Sequence, residues 1–197
     1  MVEQSQGIVR SDAATAWLLG VGLVAAIALR GVVGGPDPSS SVLATLAFAG
    51  AVFALSVAGG WRPGRPRVSA TAIGVAGGAV LVAASLTARP ALVLGAPAGT
   101  SELLAFTPLV VIAVAAEEAL VRGALFAAVM ARWGATPALC VTSAAFALIH
   151  LPLYGAGALP LDFAVGLWLG GLRLLTGGIA APTAAHLIAD LAAGWFG

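Results

Sequence analysis

Long apolar stretches with almost no charged residues dominate this sequence of 197 residues. Hydrophobic residues make up 60% of the chain and charged residues 9%, whereas soluble domains are about half apolar and about a quarter charged. A helix that crosses a bilayer requires about 20 apolar residues, so the chain has room for roughly six to eight passes and for no soluble domain beside them. The sequence therefore predicts an all-α, polytopic transmembrane helix bundle of about seven spans.

Seven uncharged stretches are the candidate spans, and turns rich in glycine and proline separate them. They are approximately Asp12–Leu29, Ser41–Gly60, Ser69–Ala88, Leu103–Met130, Pro137–Leu151, Leu161–Leu175 and Gly178–Phe196. The segment Ala91–Thr100 is interpreted as a re-entrant or interfacial piece, which could change the number of spans by one. Small residues within spans predict close helix approach; they are Gly74, Gly77, Gly78, Gly166, Gly170 and Gly171.

The orientation follows from the densest positive cluster, Arg62, Arg65 and Arg67. Short loops rich in arginine face the cytoplasm. Because two spans precede this loop, we expect a cytoplasmic N-terminus in a multi-pass protein of the cell (plasma) membrane. The first apolar run, Thr15–Leu29, is interpreted as a retained anchor and not a signal peptide, because Arg30 follows it directly without a small-residue cleavage site.

The charge balance points to a lipid environment and not to nucleic acid. Nine basic and eight acidic residues give a net charge of +1, whereas a nucleic-acid surface is strongly basic. The single cysteine, Cys140, excludes an intrachain disulfide. The lipid bilayer is therefore the expected partner, and no nucleic acid is expected.

Six ionisable side chains lie well inside the predicted spans, and both histidines of the chain are among them. A lone Asp, Lys or Arg at the centre of a span costs about 2.5–3.5 kcal/mol, so such groups are expected to have partners and a function. The six are Glu117, Glu118, Arg122, His150, His186 and Asp190.

Spacing sorts this set into pairs on single helix faces. Three pairs have i,i+4 spacing: Glu118 with Arg122, Phe146 with His150, and His186 with Asp190. The Glu118–Arg122 pair is expected mainly to fix the register of its helix. Glu117 points about 100° away from Glu118 and has no partner on its own helix, which makes it the candidate general base.

Depth estimates test whether these residues share one level. At about 1.5 Å per residue and a core of about 30 Å, Glu117 lies ~9 Å, His186 ~10 Å and Asp190 ~16 Å below the inner surface. His150 comes out at ~20 Å, which fits less well. The levels are compatible with one cluster, and His150 is its weak point.

The polar residues form three motifs in order: Glu117-Glu118-Ala119-Leu120-Val121-Arg122, Phe146-Ala147-Leu148-Ile149-His150 and His186-Leu187-Ile188-Ala189-Asp190. This pattern resembles EExxxR, FxxxH and HxxxN/D of the CPBP family of intramembrane proteases, which includes the type II CAAX prenyl endopeptidases and bacteriocin-immunity relatives. The resemblance covers about Leu103–Phe196. Val121 replaces a frequent aromatic residue, and Asp190 stands where the prenyl endopeptidases have asparagine, which changes the charge of the site.

The resemblance implies an intramembrane endopeptidase that acts on membrane-associated peptide or protein substrates. Glu117 would activate water, His150 would hold that water, and His186 with Asp190 would stabilise the oxyanion. Glu118, Arg122 and Phe146 would support them. The same Glu117, His150, His186 and Asp190 could hold zinc with an open position for water; no cofactor is required, because a glutamate base acts without a metal.

Two other classes of function compete with the peptidase. A proton-coupled transporter also uses intramembrane Glu, His and Asp, although no internal repeat of the transporter kind is visible. A catalytically silent membrane scaffold or immunity protein would share the fold.

The chain is expected to have two parts. Residues 1–102 form N-terminal helices for packing or gating, with no buried ionisable group between Asp12 and Ala88. Residues 103–197 form a catalytic core of four helices.

Overall fold

The computed structural model describes residues 13–35, 41–88 and 100–196, and every regular element in these ranges is helical. The helices, in chain order, are α1 (Ala13–Gly34), α2 (Val42–Ala58), α3 (Val68–Ala88), α4 (Thr100–Glu118), a π-helical segment (Ala119–Leu125), α5 (Phe126–Trp133), α6 (Ala135–Tyr154), a 3₁₀ turn (Ala156–Ala158), α7 (Leu159–Thr176) and α8 (Ala180–Phe196). The prediction of an all-α bundle is confirmed. Lipid offers no hydrogen bonds, so each spanning segment satisfies its backbone internally, and apolar sequences of this kind fold as helices.

Five stretches of the described chain are long and apolar enough to cross a membrane: Ala13–Gly34, Val68–Thr87, Leu104–Trp133, Ala135–Tyr154 and Ala156–Thr176. Helix α2, with 17 residues, is shorter, as is α8, also with 17. The five long stretches, α2 and α8 correspond to the seven predicted spans. Of the proposed re-entrant piece Ala91–Thr100, residues 91–99 lie outside the described ranges.

The third long span is a continuous rod in which α4 passes through the π-helical segment into α5. All seven residues of the π-helical segment are buried. A π turn is an uncommon interruption of a helix and is frequent at functional sites. The rod ends at Gly134, whose φ of 88° reverses the chain into α6; this left-handed conformation favours glycine.

Two apolar cores hold the helices together. The larger joins α1, α2, the α4–π–α5 rod and α6 around residues such as Phe48, Leu120 and Ile149. The smaller joins α6, α7 and α8, with Leu81 of α3 packed against it. Helix α6 contributes to both cores, with Ile149 in the larger and Phe146 in the smaller.

The expected close approach of helices occurs at most of the predicted glycines. A β-carbon on Gly78 would lie 2.8 Å from a side-chain carbon of Ile188, and one on Gly166 would lie 2.8 Å from the α-carbon of Ser143. Gly171 is an exception, because no heavy atom lies within 4 Å of a β-carbon built there. Glycine therefore sets the α3–α8 and α6–α7 distances, as small residues do in membrane proteins.

The expectation that the first three spans contain no buried ionisable group is wrong. Arg30 of α1 is only 6% exposed. It continues an inward-facing stripe of Leu19, Leu23 and Ala26 at helical spacing. The N-terminal helices therefore bring a charge into the bundle as well as apolar packing.

Candidate active site

Glu118 links the first and third motifs. Its Oε1 accepts a hydrogen bond of 3.0 Å from Nη1 of Arg122 and another of 3.0 Å from Nδ1 of His186. Glu118 and Arg122 are fully buried. The predicted i,i+4 ion pair is present, and its carboxylate also fixes a histidine on α8, which the spacing within one helix could not indicate.

Arg122 is enclosed on every side by protein. Its guanidinium carbon lies 4.4 Å from the centroid of the Phe146 ring, and Nη2 donates to the carbonyl of Gly166 at 3.4 Å. The carbonyl of Arg122 itself accepts a 3.1 Å bond from Nε of Arg173. Arg122 thus ties the π-helical segment to α6 and α7, a role that suits the planar, multiply donating guanidinium group.

His150 is oriented by its own helix. Its Nδ1 lies 2.9 Å from the carbonyl oxygen of Phe146. A carbonyl only accepts, so Nδ1 carries the hydrogen and Nε2 is left as an acceptor in the neutral ring. The ring is stacked on Tyr154, with centroids 5.7 Å apart and planes 13° apart. The Phe146 ring also packs against it, at 4.5 Å between centroids.

The weak point in the depth estimates disappears when depth is counted from the turn at Gly134. At about 1.5 Å per residue, Glu117 lies about 24 Å from Trp133, and His150 lies about 22 Å from Ala135, along two helices that meet there. The two side chains are therefore level. The mismatch came from Glu117, whose depth was counted from Leu103 at the opposite end of its span, and the 30 residues of Leu104–Trp133 exceed the length that a core of about 30 Å requires.

His186 stands between two carboxylates. Its Nδ1 donates to Glu118, and its Nε2 lies 3.3 Å from Oδ2 of Asp190. The His186 side chain is 2% exposed and that of Asp190 is 42% exposed. Asp190 therefore lies at the rim of the cluster, and His186 lies inside it.

Glu117 has a partner from another helix. Its Oε1 lies 3.9 Å from Nη1 of Arg30, and both side chains are almost fully buried. The prediction that Glu117 has no partner on its own helix agrees with this contact, because Arg30 belongs to α1. The carboxylate faces the guanidinium of Arg30, which was not among the predicted site residues.

Glu117, His150 and His186 come together as a compact group. Each offers one ligand atom, these atoms all lie within 4.8 Å of one another, and all three residues are buried. Asp190, the fourth proposed metal ligand, is not part of this group. Both histidines have one ring nitrogen bonded to a protein oxygen, as histidine ligands of metals commonly have. The group could therefore hold a metal ion.

Three features of the site were not predicted from the sequence. Tyr154 lies four residues after His150, so helical spacing could have indicated it. Arg30 continues the apolar stripe of α1, which is an unusual place for a charge. The bond between Glu118 and His186 has no local signal, because it joins residues on different helices.

Comparison with known proteins identifies one family. Residues 99–192 match the family described as type II CAAX prenyl endopeptidase Rce1-like. No curated protein and no solved structure matches the chain. The matched region contains all three motifs and excludes α1, α2 and α3. The match covers a little less than half of the chain and supports its membership of the CPBP family of intramembrane proteases.

Proposed function

We propose that this protein is an intramembrane endopeptidase that hydrolyses peptide bonds of membrane-associated protein substrates. The observation that carries the proposal is the buried group of Glu117, His150 and His186, whose potential ligand atoms lie within 4.8 Å of one another. Charged groups are costly inside a membrane and usually serve a function there. The family is one of proteases, which indicates the class of reaction.

Glu117 is the general base in this proposal. Its carboxylate takes a proton from a water molecule as that water attacks the scissile carbonyl. His150 holds the same water, because Nε2 of its neutral ring accepts a hydrogen bond while Nδ1 donates to the carbonyl of Phe146. The stacking of Tyr154 and the packing of Phe146 keep the ring in this orientation.

His186 stabilises the tetrahedral oxyanion. A donor role requires a hydrogen on Nε2, because the Nδ1 hydrogen is used in the bond to Glu118. The ring therefore acts as an imidazolium, with the carboxylates of Glu118 and Asp190 on its two sides. Fixed donors of this kind are worth about 10²–10³ in rate when they point to the developing negative charge.

The metal-dependent form of the reaction would use the same three residues. Glu117, His150 and His186 would be the ligands, and a bound zinc ion would polarise the scissile carbonyl and activate water. Arg30 favours the metal-independent form, because its guanidinium, 3.9 Å from Glu117, already supplies a positive charge there. A divalent cation at Glu117 would be repelled by it.

Location and substrate follow from the same features. The five long apolar stretches indicate a multi-pass membrane protein. Placing Arg62, Arg65 and Arg67 on the cytoplasmic side puts the N-terminus in the cytoplasm too, and we propose the cell membrane as the location. In this proposal the peptide enters from the side of Asp190, which is 42% exposed, and reaches the buried Glu117.

The experiment compares the purified protein with Glu117→Gln in detergent or liposomes, using membrane-proximal peptides and mass spectrometry of the products. Wild type should cleave, and the variant should be slower by at least about 10²-fold, the lower range for a positioned general base. Equal rates for both proteins would overturn the proposal. A proton-coupled transporter would instead change the internal pH of proteoliposomes without peptide cleavage.

A further inference from the structure

Each glutamate of the Glu117-Glu118 pair has its own arginine in the fold. Glu118 is bonded to Arg122 on the same rod at 3.0 Å. Glu117 faces Arg30 from α1 at 3.9 Å. Arg30 lies outside the region that matches the protease family, residues 99–192, so the proposed site extends beyond it.

Arg30 is held in place by the apolar core of the N-terminal helices. Its guanidinium carbon lies 5.0 Å from the centroid of the Phe48 ring of α2, and Phe48 is fully buried. The face of an aromatic ring attracts a cation, more strongly when both are away from water. Residues Leu23 and Ala26, on the same face of α1, are each 3% exposed. Two helices thus fix the position of one charge.

The direction of the side chain explains how α1 reaches the site. Arg30 lies one turn before the end of α1 at Gly34, and helical side chains point toward the N-terminus of their helix. A long side chain at this place extends along the inward face of α1 toward the Glu117 level. Its Nε has no hydrogen-bond partner among the described residues, so this nitrogen takes no part in a structural hydrogen bond.

We propose that Arg30 is a positioning residue for Glu117, which extends the active site to α1 and rests on the proposed role of Glu117 as the base. Glu117 is adjacent in sequence to a second buried carboxylate, Glu118, and like charges in a low dielectric repel each other. The guanidinium of Arg30 offsets this repulsion and holds the Glu117 carboxylate toward His150. The N-terminal helices therefore contribute to catalysis through a single charge.

The test compares Arg30→Met, Arg30→Lys and Arg30→Ala with wild type in the peptide-cleavage assay. Arg30→Met keeps an unbranched apolar chain and removes the charge, so kcat should fall about 10²-fold, the cost of misplacing a reacting group by about 1 Å. KM should change less than about twofold, because in this proposal Arg30 contacts Glu117 and not the substrate, so the affinity for the substrate is unaffected. Arg30→Lys should retain at least a tenth of the wild-type kcat, and guanidinium added to Arg30→Ala should restore part of it.

Controls separate this proposal from the one on which it rests. Arg132→Met removes an exposed arginine of α5 that packs on Trp133 and should leave kcat unchanged. If Glu117→Gln is inactive and Arg30→Met cleaves within threefold of wild type, the role of Arg30 is refuted while the peptidase stands. If Glu117→Gln cleaves as well as wild type, the peptidase itself fails. Should Arg30→Met not fold, Arg30→Ala decides the matter: a kcat that added guanidinium restores in part supports the positioning role, and a kcat that guanidinium leaves unchanged overturns it.

Discussion

Glu118 of α4 and His186 of α8 are joined by a hydrogen bond of 3.0 Å between Oε1 and Nδ1. The same oxygen accepts from Arg122 at 3.0 Å. The second glutamate of the first motif thus connects the ion pair on its own helix to the histidine that faces the candidate base. Its role is more than fixing helix register, because it also binds Nδ1 of His186 and leaves Nε2 on the side of Asp190.

Glu118→Gln is expected to retain the fold and lose most of the activity. The amide oxygen still accepts one hydrogen bond, but the negative charge beside His186 and Arg122 is gone. Partners that orient a metal-binding histidine typically contribute about 10–100-fold to activity, and we expect a similar loss for the partner of His186. Peptide cleavage measured beside near-UV circular dichroism checks it. Activity above half of wild type would show that Glu118 does not orient His186.

A double-mutant cycle separates the structural and catalytic parts of this bond. Arg122→Met leaves Glu118 buried without its arginine, and breaking a buried pair costs about 3–5 kcal/mol. The double variant Glu118→Gln with Arg122→Met removes both charges and should unfold at a higher temperature than Arg122→Met alone. It should still be as slow as Glu118→Gln, because the carboxylate next to His186 is missing in both.

Thermal unfolding in detergent measures the first effect and peptide cleavage the second. If the double variant unfolds at a lower temperature than either single variant, Glu118 and Arg122 do not form one unit. If it regains wild-type activity, the carboxylate of Glu118 has no part in orienting His186.

The sequence was sufficient for those parts of the fold and site that depend on local pattern. Apolar length predicted the helical bundle, and i,i+4 spacing predicted the pairs Glu118–Arg122 and Phe146–His150. Such pairs are readable because helix geometry alone brings the two side chains together. The same local reading correctly left Glu117 without a partner on its own helix.

Relationships between helices could not be derived in this way. The contact of Arg30 with Glu117 joins residues 87 positions apart, and only the packing of α1 against the rod brings them together. The levels of Glu117 and His150 were mismatched because the depth of Glu117 was counted from Leu103, the far end of a stretch whose 30 residues exceed the roughly 20 that a bilayer core requires. The packing of helices against one another, and the level at which each helix ends, therefore cannot be read from local sequence patterns.

Gly123→Ala tests the packing of the π-helical segment against the loop that follows α2. A β-carbon on Gly123 would lie 2.5 Å from Cδ1 and 2.7 Å from Nε1 of Trp61. The indole ring would have to move, and overpacking of this kind costs about 1–3 kcal/mol. We expect a lower unfolding temperature, and Trp61→Leu in the same chain should recover most of the loss.

Gly171→Ala is the matched control, since no heavy atom lies within 4 Å of a β-carbon there. Its unfolding temperature should be unchanged or slightly higher, because alanine is favoured over glycine within a helix by about 0.5–1 kcal/mol. Equal behaviour of the two alanine variants would contradict the close contact between Trp61 and Gly123.

Removal of metal distinguishes the two forms of the proposed mechanism. In the metal-independent form, His186 donates from Nε2, whereas a zinc ligand requires a free electron pair on that nitrogen. Protein treated exhaustively with a chelator should therefore keep its full cleavage activity, and elemental analysis should find far less than one zinc per chain. His150→Ala gives the complementary measurement, with reduced cleavage and the same low zinc content. The opposite result would be about one zinc per chain in wild type, with both the zinc and the activity lost in His150→Ala and neither regained when zinc is added. That result would establish Glu117, His150 and His186 as metal ligands.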